Sequence, residues 1–134
     1  MRFVDSNVWL YAIMRGADAA KRARATTLIR AADLVISTQV VNETCFNLVR
    51  KAKFDGARIR KIVEAMYRRA AVLPVTRESI LRAADLRDRY QLSFWDSHLA
   101  ACALLGGCVS LESEDMQDGL VIDDVLTIRN PFKP

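Results

Sequence analysis

Four carboxylates in this 134-residue chain lie shortly after apolar strand-like segments or in the first turn of the helix that feeds the last of them. Asp5 follows Met1–Val4. Glu43 lies one turn inside the helical segment after Leu34–Ser37. Asp96 sits in the first turn of a helix opened by Ser93, and Asp115 follows Val109–Leu111. In open α/β sheets ligands bind beyond the carboxyl ends of the strands, so acids from distant parts of the chain have a common place to meet. Carboxylates a few ångströms apart raise each other's pKa unless a cation lies between them. An oxygen-only donor set, without His or thiolate, selects Mg²⁺ or Mn²⁺. Such an ion activates a water and stabilises charge on a phosphate. With a basic surface nearby, that combination points to phosphodiester hydrolysis.

Each acid also has a simpler role open to it. Asp5 can cap the first helix. Glu43 can be an ordinary surface acid, although its neighbours Gln39, Val40, Phe46 and Asn47 offer no ion-pair partner. Asp96, three residues after Ser93, suits the orphan amides of a first turn. Phe94 and Trp95 flank it, however, and a bare charge in apolar surroundings is costly without a counter-ion. Asp115 can be a loop acid. His98 lies about 200° round the helix from Asp96 and reads as core or surface. Cys45, Cys102 and Cys108 are expected to pack rather than react. An odd number of cysteines without CxxC, and a single His, argue against disulfide scaffolds and Cys/His zinc sites and suggest a reducing, cytoplasmic setting.

Other chemistries lack their signatures. There is no G-x-x-x-x-G-K-[ST] phosphate loop, no G-x-G-x-x-G fingerprint and no G-x-S-x-G elbow. Asp5-Ser6-Asn7 lacks the second Asp, two positions on, that a phosphoaspartate hydrolase needs.

Charge is segregated along the chain. Arg15 to Arg89 holds 17 Lys/Arg against 8 Asp/Glu, whereas Tyr90 to Ile128 holds seven acids and no Lys or Arg. The first stretch suggests a nucleic acid or an acidic partner, the second a cation. Arg50, Lys51 and Lys53 are candidate RNA contacts, with Arg15, Lys21, Arg22 and Arg24 as the alternative track; part of this charge serves solubility alone.

The elements that must position these groups are read from periodicity and punctuation. Strands are expected at Met1–Val4, Leu34–Ser37, Val72–Val75 and Val109–Leu111, with a fifth possible at Val125–Ile128. Helices are expected from Val8 to Ile13 with Ser6 or Asn7 as cap, over Asp18–Ala32, after a Thr38 cap, and over Asp55–Ala71. Two more follow, from a Thr76 cap to Tyr90 and from Ser93 to Leu105, ended by Gly106-Gly107. Val41, Cys45, Leu48, Val49 and Ala52 are expected on one inward stripe. Short apolar strands alternating with amphipathic helices predict a parallel sheet of about five strands covered on both faces, a three-layer α/β/α sandwich. The length suits one domain over residues 1–134, hydrophobic residues at 51% exclude wholesale disorder, and no apolar run reaches membrane-spanning length. Asp5 follows the start too soon for a signal peptide.

Four segments together resemble the PIN-domain ribonucleases, in particular the VapC-type toxins of toxin–antitoxin pairs. They are F-V-D-S-N-V-W-L-Y from Phe3, T-Q-V-V-N-E from Thr38, F-W-D-S-H-L-A-A-C-A from Phe94 and S-E-D-M-Q-D-G from Ser113. They occur in family order over essentially the whole chain. The resemblance implies that Asp5, Glu43, Asp96 and Asp115 hold a divalent metal, with Ser6 and Ser113 as supporting hydroxyls. The late segment departs from the commoner Thr-x-Asp form, which leaves Asp115 first, Asp118 second and Glu114 third as the fourth acid. It further implies Mg²⁺- or Mn²⁺-dependent cleavage of RNA, a homodimer and an antitoxin partner. The alternative is a PIN-like RNA-binding module with weak or no catalysis. A Mg²⁺-dependent phosphatase is disfavoured by the basic helices and the absent second Asp.

Overall fold

The computed structural model describes residues 1–16 and 18–134. The chain alternates β1 (Arg2–Val4), α1 (Ser6–Ile13), α2 (Ala19–Ile29), β2 (Leu34–Ser37), α3 (Thr38–Ala52), α4 (Gly56–Arg69), β3 (Ala71–Leu73), α5 (Arg77–Tyr90) and α6 (Phe94–Leu105). It closes with β4 (Ser110–Glu112), β5 (Val121–Ile122) and β6 (Leu126–Arg129).

Helix starts follow side-chain oxygens, because the first turn of a helix leaves backbone N–H groups without partners. Asp18, Asp55 and Ser93 accept from amides one turn on, and Thr76 with Ser79 forms a reciprocal capping box. Ser37 rather than Thr38 caps α3, and among Asp5, Ser6 and Asn7, each open to that role, Asp5 caps α1. Both caps lie early because the strand runs straight into the helix with no intervening loop. Likewise α4 stops at Arg69, and Ala71, expected as helix, opens β3; Pro74 lies just past that strand.

The sheet has six strands in the order β3-β2-β1-β4-β6-β5. Neighbours from β3 to β6 pair in parallel, and only β5 runs antiparallel. The expected sheet of about five strands is met, with the two-residue β5 as the addition. The β5–β6 hairpin turns through Asp123 and Asp124, both left-handed at φ 51 and φ 57. Asp tolerates that region better than most residues, so the Asp-Asp pair between Val121-Ile122 and Leu126 was the available signal. Chain order reverses between β1 and β4: β1, β2 and β3 step outward one way, and the crossover through α5 and α6 returns to the other side of β1. That reversal is a topological switch point.

The central strands are buried on both faces, with Phe3, Val4, Ile36, Leu111, Leu126 and Ile128 inaccessible to solvent. Helix α6 lies against β2, β4 and β6 and carries α5, while α1 packs on α2 and α3. In α3 the inward set is Val40, Val41, Thr44 and Leu48; Val49, expected on that stripe, is exposed. Gly106 closes α6 where a Cβ would lie 2.7 Å from Leu73 Cδ1 and 3.3 Å from both Val35 Cγ1 and the Cys102 carbonyl oxygen. Gly106→Ala is therefore expected to cost about 1–2 kcal/mol through overpacking. Urea denaturation measures it, and an unshifted midpoint would mean that Leu73 simply rotates aside.

Candidate active site

The ends of β1 and β4 define the site. Val4 pairs with Glu112, so Asp5 and Ser113 emerge side by side at the switch point. The Asp5 amide extends the ladder by donating to the Glu112 carbonyl oxygen at 3.0 Å. Asp5 is only 6% exposed. One carboxylate oxygen accepts from the Ser6 amide at 2.7 Å, and the other accepts from the Ser113 hydroxyl at 2.8 Å. The Ser6 hydroxyl donates onward to Glu43 at 3.1 Å, and the Gln39 amide holds the other Glu43 oxygen at 2.9 Å. Glu43, for which an ordinary surface acid was the simpler alternative, is thus half-buried and hydrogen-bonded into the same cluster.

Asp96 lies half-buried in the first turn of α6, with its amide capped by Ser93 at 3.1 Å. The Asn7 amide, from the first turn of α1, donates to Asp115 at 3.3 Å. Burial is the main cause raising the Asp5 carboxyl to about 6; the Ser113 and Ser6 hydrogen bonds oppose it, and the charges of Glu43 and Asp96 add to it. Asp96 is raised too, by burial first and then by Asp115 and Glu43, against the Ser93 bond. The mutual repulsion places all four acids within one electrostatic neighbourhood. None of them has an ion pair with Lys or Arg among the described residues.

By donor chemistry this set fits a hard divalent cation, being all oxygen and short of positive charge. No three His, Cys, Asp or Glu side chains among the described residues are yet close enough to hold one ion together. The carboxylates are gathered around the cleft rather than closed on a point.

The acidic stretch is less bare in three dimensions than along the chain. Lys21 pairs with Glu114 at 2.5 Å, Lys133 with Asp118 at 3.7 Å, and Arg82 and Arg89 with Asp123 at 3.3 and 2.8 Å. Asp118 also accepts from the Asn130 amide at 2.8 Å, so its carboxylate is engaged with the C-terminal segment while Asp115 faces Asn7. Phe94 and Trp95, expected to give Asp96 apolar surroundings, are 53% and 61% exposed. With His98 they rim a cavity of about 730 Å³ that reaches Glu43, Gln39 and Asn42. His98 is buried against the Phe94 ring at 4.6 Å, and burial lowers its pKa. Arg50, Lys51 and Lys53 are all exposed; Lys53 is the left-handed C-cap of α3, and of the three only Lys51 lines a cavity reaching Asp115.

Sequence reasoning did not single out Asn7, Gln39 or Tyr11 as site residues. Tyr11 donates to Glu114 at 2.7 Å, beside Lys21. Asn7 and Tyr11 lie one turn apart on α1, within the segment from Phe3 to Tyr11 that carries the family resemblance, and that spacing was the usable signal.

A mostly parallel sheet between helices, with carboxylates gathered beyond the strand ends at a switch point, defines an open α/β protein whose ligand cleft lies at that reversal. Residues 2–117 match the PIN domain family, and the chain belongs to it. Solved structures share the fold. VapC20 of Mycobacterium tuberculosis, described as a sarcin–ricin loop cleaving toxin, has 22% identity and a TM-score of 0.68, over 83% of this chain and 87% of that one. A toxin–antitoxin complex from Klebsiella pneumoniae has 15% identity and a TM-score of 0.73 over the whole of both chains. VapBC2 from Rickettsia felis, bound to a DNA fragment from their promoter, has 14% identity and a TM-score of 0.65, over 96% of this chain and 98% of that one. At these identities the likeness is one of fold. No curated protein sequence matches the chain significantly.

Proposed function

We propose that this PIN domain is a divalent-metal-dependent endoribonuclease acting as the toxin of a toxin–antitoxin pair. The observation that carries the reading is a buried Asp5, raised by burial, in a cluster with Glu43, Asp96 and Asp115 and without a cationic partner. Asp5, Glu43, Asp96 and Asp115 would hold Mg²⁺ or Mn²⁺. Asp118 is the less favoured fourth acid, being occupied by Asn130 and Lys133. When bound, the ion supplies an activated water and charge stabilisation at the scissile phosphate. The chain's own groups orient the acids: Ser113 and the Ser6 amide fix the two Asp5 oxygens, Ser6 and Gln39 fix Glu43, and Asn7 holds Asp115.

An antitoxin partner is supported by the toxin–antitoxin complexes among the structural neighbours, and a homodimer belongs to the same proposal. No helix among the described residues is long and apolar enough to cross a membrane. One observation favours the second reading, an RNA-binding module with weak catalysis: the carboxylates are gathered but not closed on a single point. The deciding experiment is induced expression followed by sequencing of new RNA 5′ ends, with Asp96→Asn as control. Defined new ends in the wild type alone support the nuclease; identical profiles leave the binding module.

A further inference from the structure

We infer that a pocket formed by Arg15, Lys51 and Arg58 seats RNA backbone phosphates flanking the scissile one. This rests on the ribonuclease reading above. The pocket is about 630 Å³, with Met14 and Phe54 contributing its apolar wall. It shares Met14, Arg15 and Lys51 with a second cavity of about 410 Å³ that is lined by Asn7, Glu114 and Asp115. A continuous path therefore leads from the acidic cleft to a concave, positively charged surface.

Two features, a shared concavity and a restrained Arg58, separate these cations from the solubilising charge on the rest of the surface, and their lack of carboxylate partners leaves them free to bind. They come from the turn after α1, the last turn of α3 and the first turn of α4, yet they line one concavity. None has a carboxylate partner among the described residues, although the nearby Asp55 is available; Asp55 instead accepts from the Arg58 backbone amide at 2.9 Å. The Arg58 guanidinium lies over the Phe54 ring at 5.5 Å, which limits its freedom without consuming its donors. The left-handed Lys53, at φ 58, makes the α3–α4 turn sharp enough to bring Lys51 and Arg58 to the same pocket. Cations held this way beside a cluster of acids suit a polyanion whose charge must be neutralised on either side of the reacting group. A single strand laid across the cleft carries phosphates next to the reacting one, and its affinity carries the counterion signature of every phosphate that is neutralised.

The test measures the affinity of a fluorescein-labelled single-stranded oligoribonucleotide against salt, in Mg²⁺ and the Asp96→Asn background. The slope of log affinity against log salt should become shallower by about 2 in Arg15→Gln/Lys51→Gln/Arg58→Gln, at about 0.7 for each phosphate no longer neutralised. Lys51→Arg, which keeps the charge, should retain the parent slope. A control triple of exposed, unpaired cations elsewhere, Arg68→Gln/Arg77→Gln/Arg87→Gln, removes equal charge and should also retain it. Equal slopes for both triples overturn the proposal. So does a first triple that loses poly-glutamate binding while its RNA slope is unchanged, since the pocket would then serve an acidic protein segment. Failure of the ribonuclease reading shows separately, as wild-type protein that leaves RNA intact in Mg²⁺ and Mn²⁺ while the pocket triple still changes the slope.

Discussion

Asp5→Asn and Asp96→Asn should each reduce RNA cleavage by at least about a hundredfold while the fold survives, because a metal-polarised phosphate draws several kcal/mol from the ion that these acids would hold. The stability readout makes the argument sharper. In the native state Asp5 titrates at about 6 against an ordinary value of 3.8, with burial as the largest cause. Its folded pKa is therefore above its unfolded one, and ionisation costs the native state. The Asp5 contribution to the stability of the metal-free protein is full below pH 3.8 and is lost as pH rises through 6. Asn removes that cost at neutral pH. The gain approaches about 2–3 kcal/mol at most, from a shift of roughly two units at about 1.4 kcal/mol each. The amide can still accept from the Ser6 N–H, and its NH₂ can donate to the Ser113 hydroxyl, which turns to accept. Asn also remains a good helix cap. The expected result is a higher Tm for metal-free Asp5→Asn than wild type at pH 7, with the gap closing towards pH 4. A variant that keeps full activity, with no Tm gain at either pH, would reduce Asp5 to a helix cap.

Removing divalent metal should have the second large effect. EDTA is expected to stop cleavage, and Mg²⁺ or Mn²⁺ to restore it. Ca²⁺ should restore it poorly, since its larger and looser coordination positions a water less well. Binding also has a readout independent of turnover. An ion that binds only the folded protein raises its stability by about 2.7 kcal/mol at a hundred times its Kd. Mg²⁺ should therefore raise the wild-type Tm, and raise it far less in Asp5→Asn. Cleavage that persists undiminished after exhaustive chelation would require a metal-free acid–base mechanism. His98, buried against Phe94 with its pKa lowered, is poorly suited to supply one.

What the sequence determined by itself is what short-range physics controls. Leu34–Ser37 is the observed β2 residue for residue, because three β-favouring apolar residues running into a capping Ser admit little else. Thr76 and Ser93 cap the helices expected of them, and Gly106-Gly107 ends α6, since capping depends on residues within one turn. The place of Asp5, Glu43, Asp96 and Asp115 at one end of the sheet followed from the strand-end rule for parallel sheets. The tertiary structure alone decided which charges remain free. Along the chain, Glu114, Asp118 and Asp123 look as bare as Asp115. In the fold they meet Lys21, Lys133, Arg82 and Arg89, up to 93 positions away. Such pairs are set by strand order and by the crossover that returns β4 to the side of β1, and no local pattern encodes that return. The same holds for Lys51, one cation among three adjacent candidates. Only the turn at Lys53 and the approach of α1 place it, rather than Arg50, in the cavity that Asp115 also lines, because a helix presents neighbouring residues about 100° apart and the packing partner selects the face.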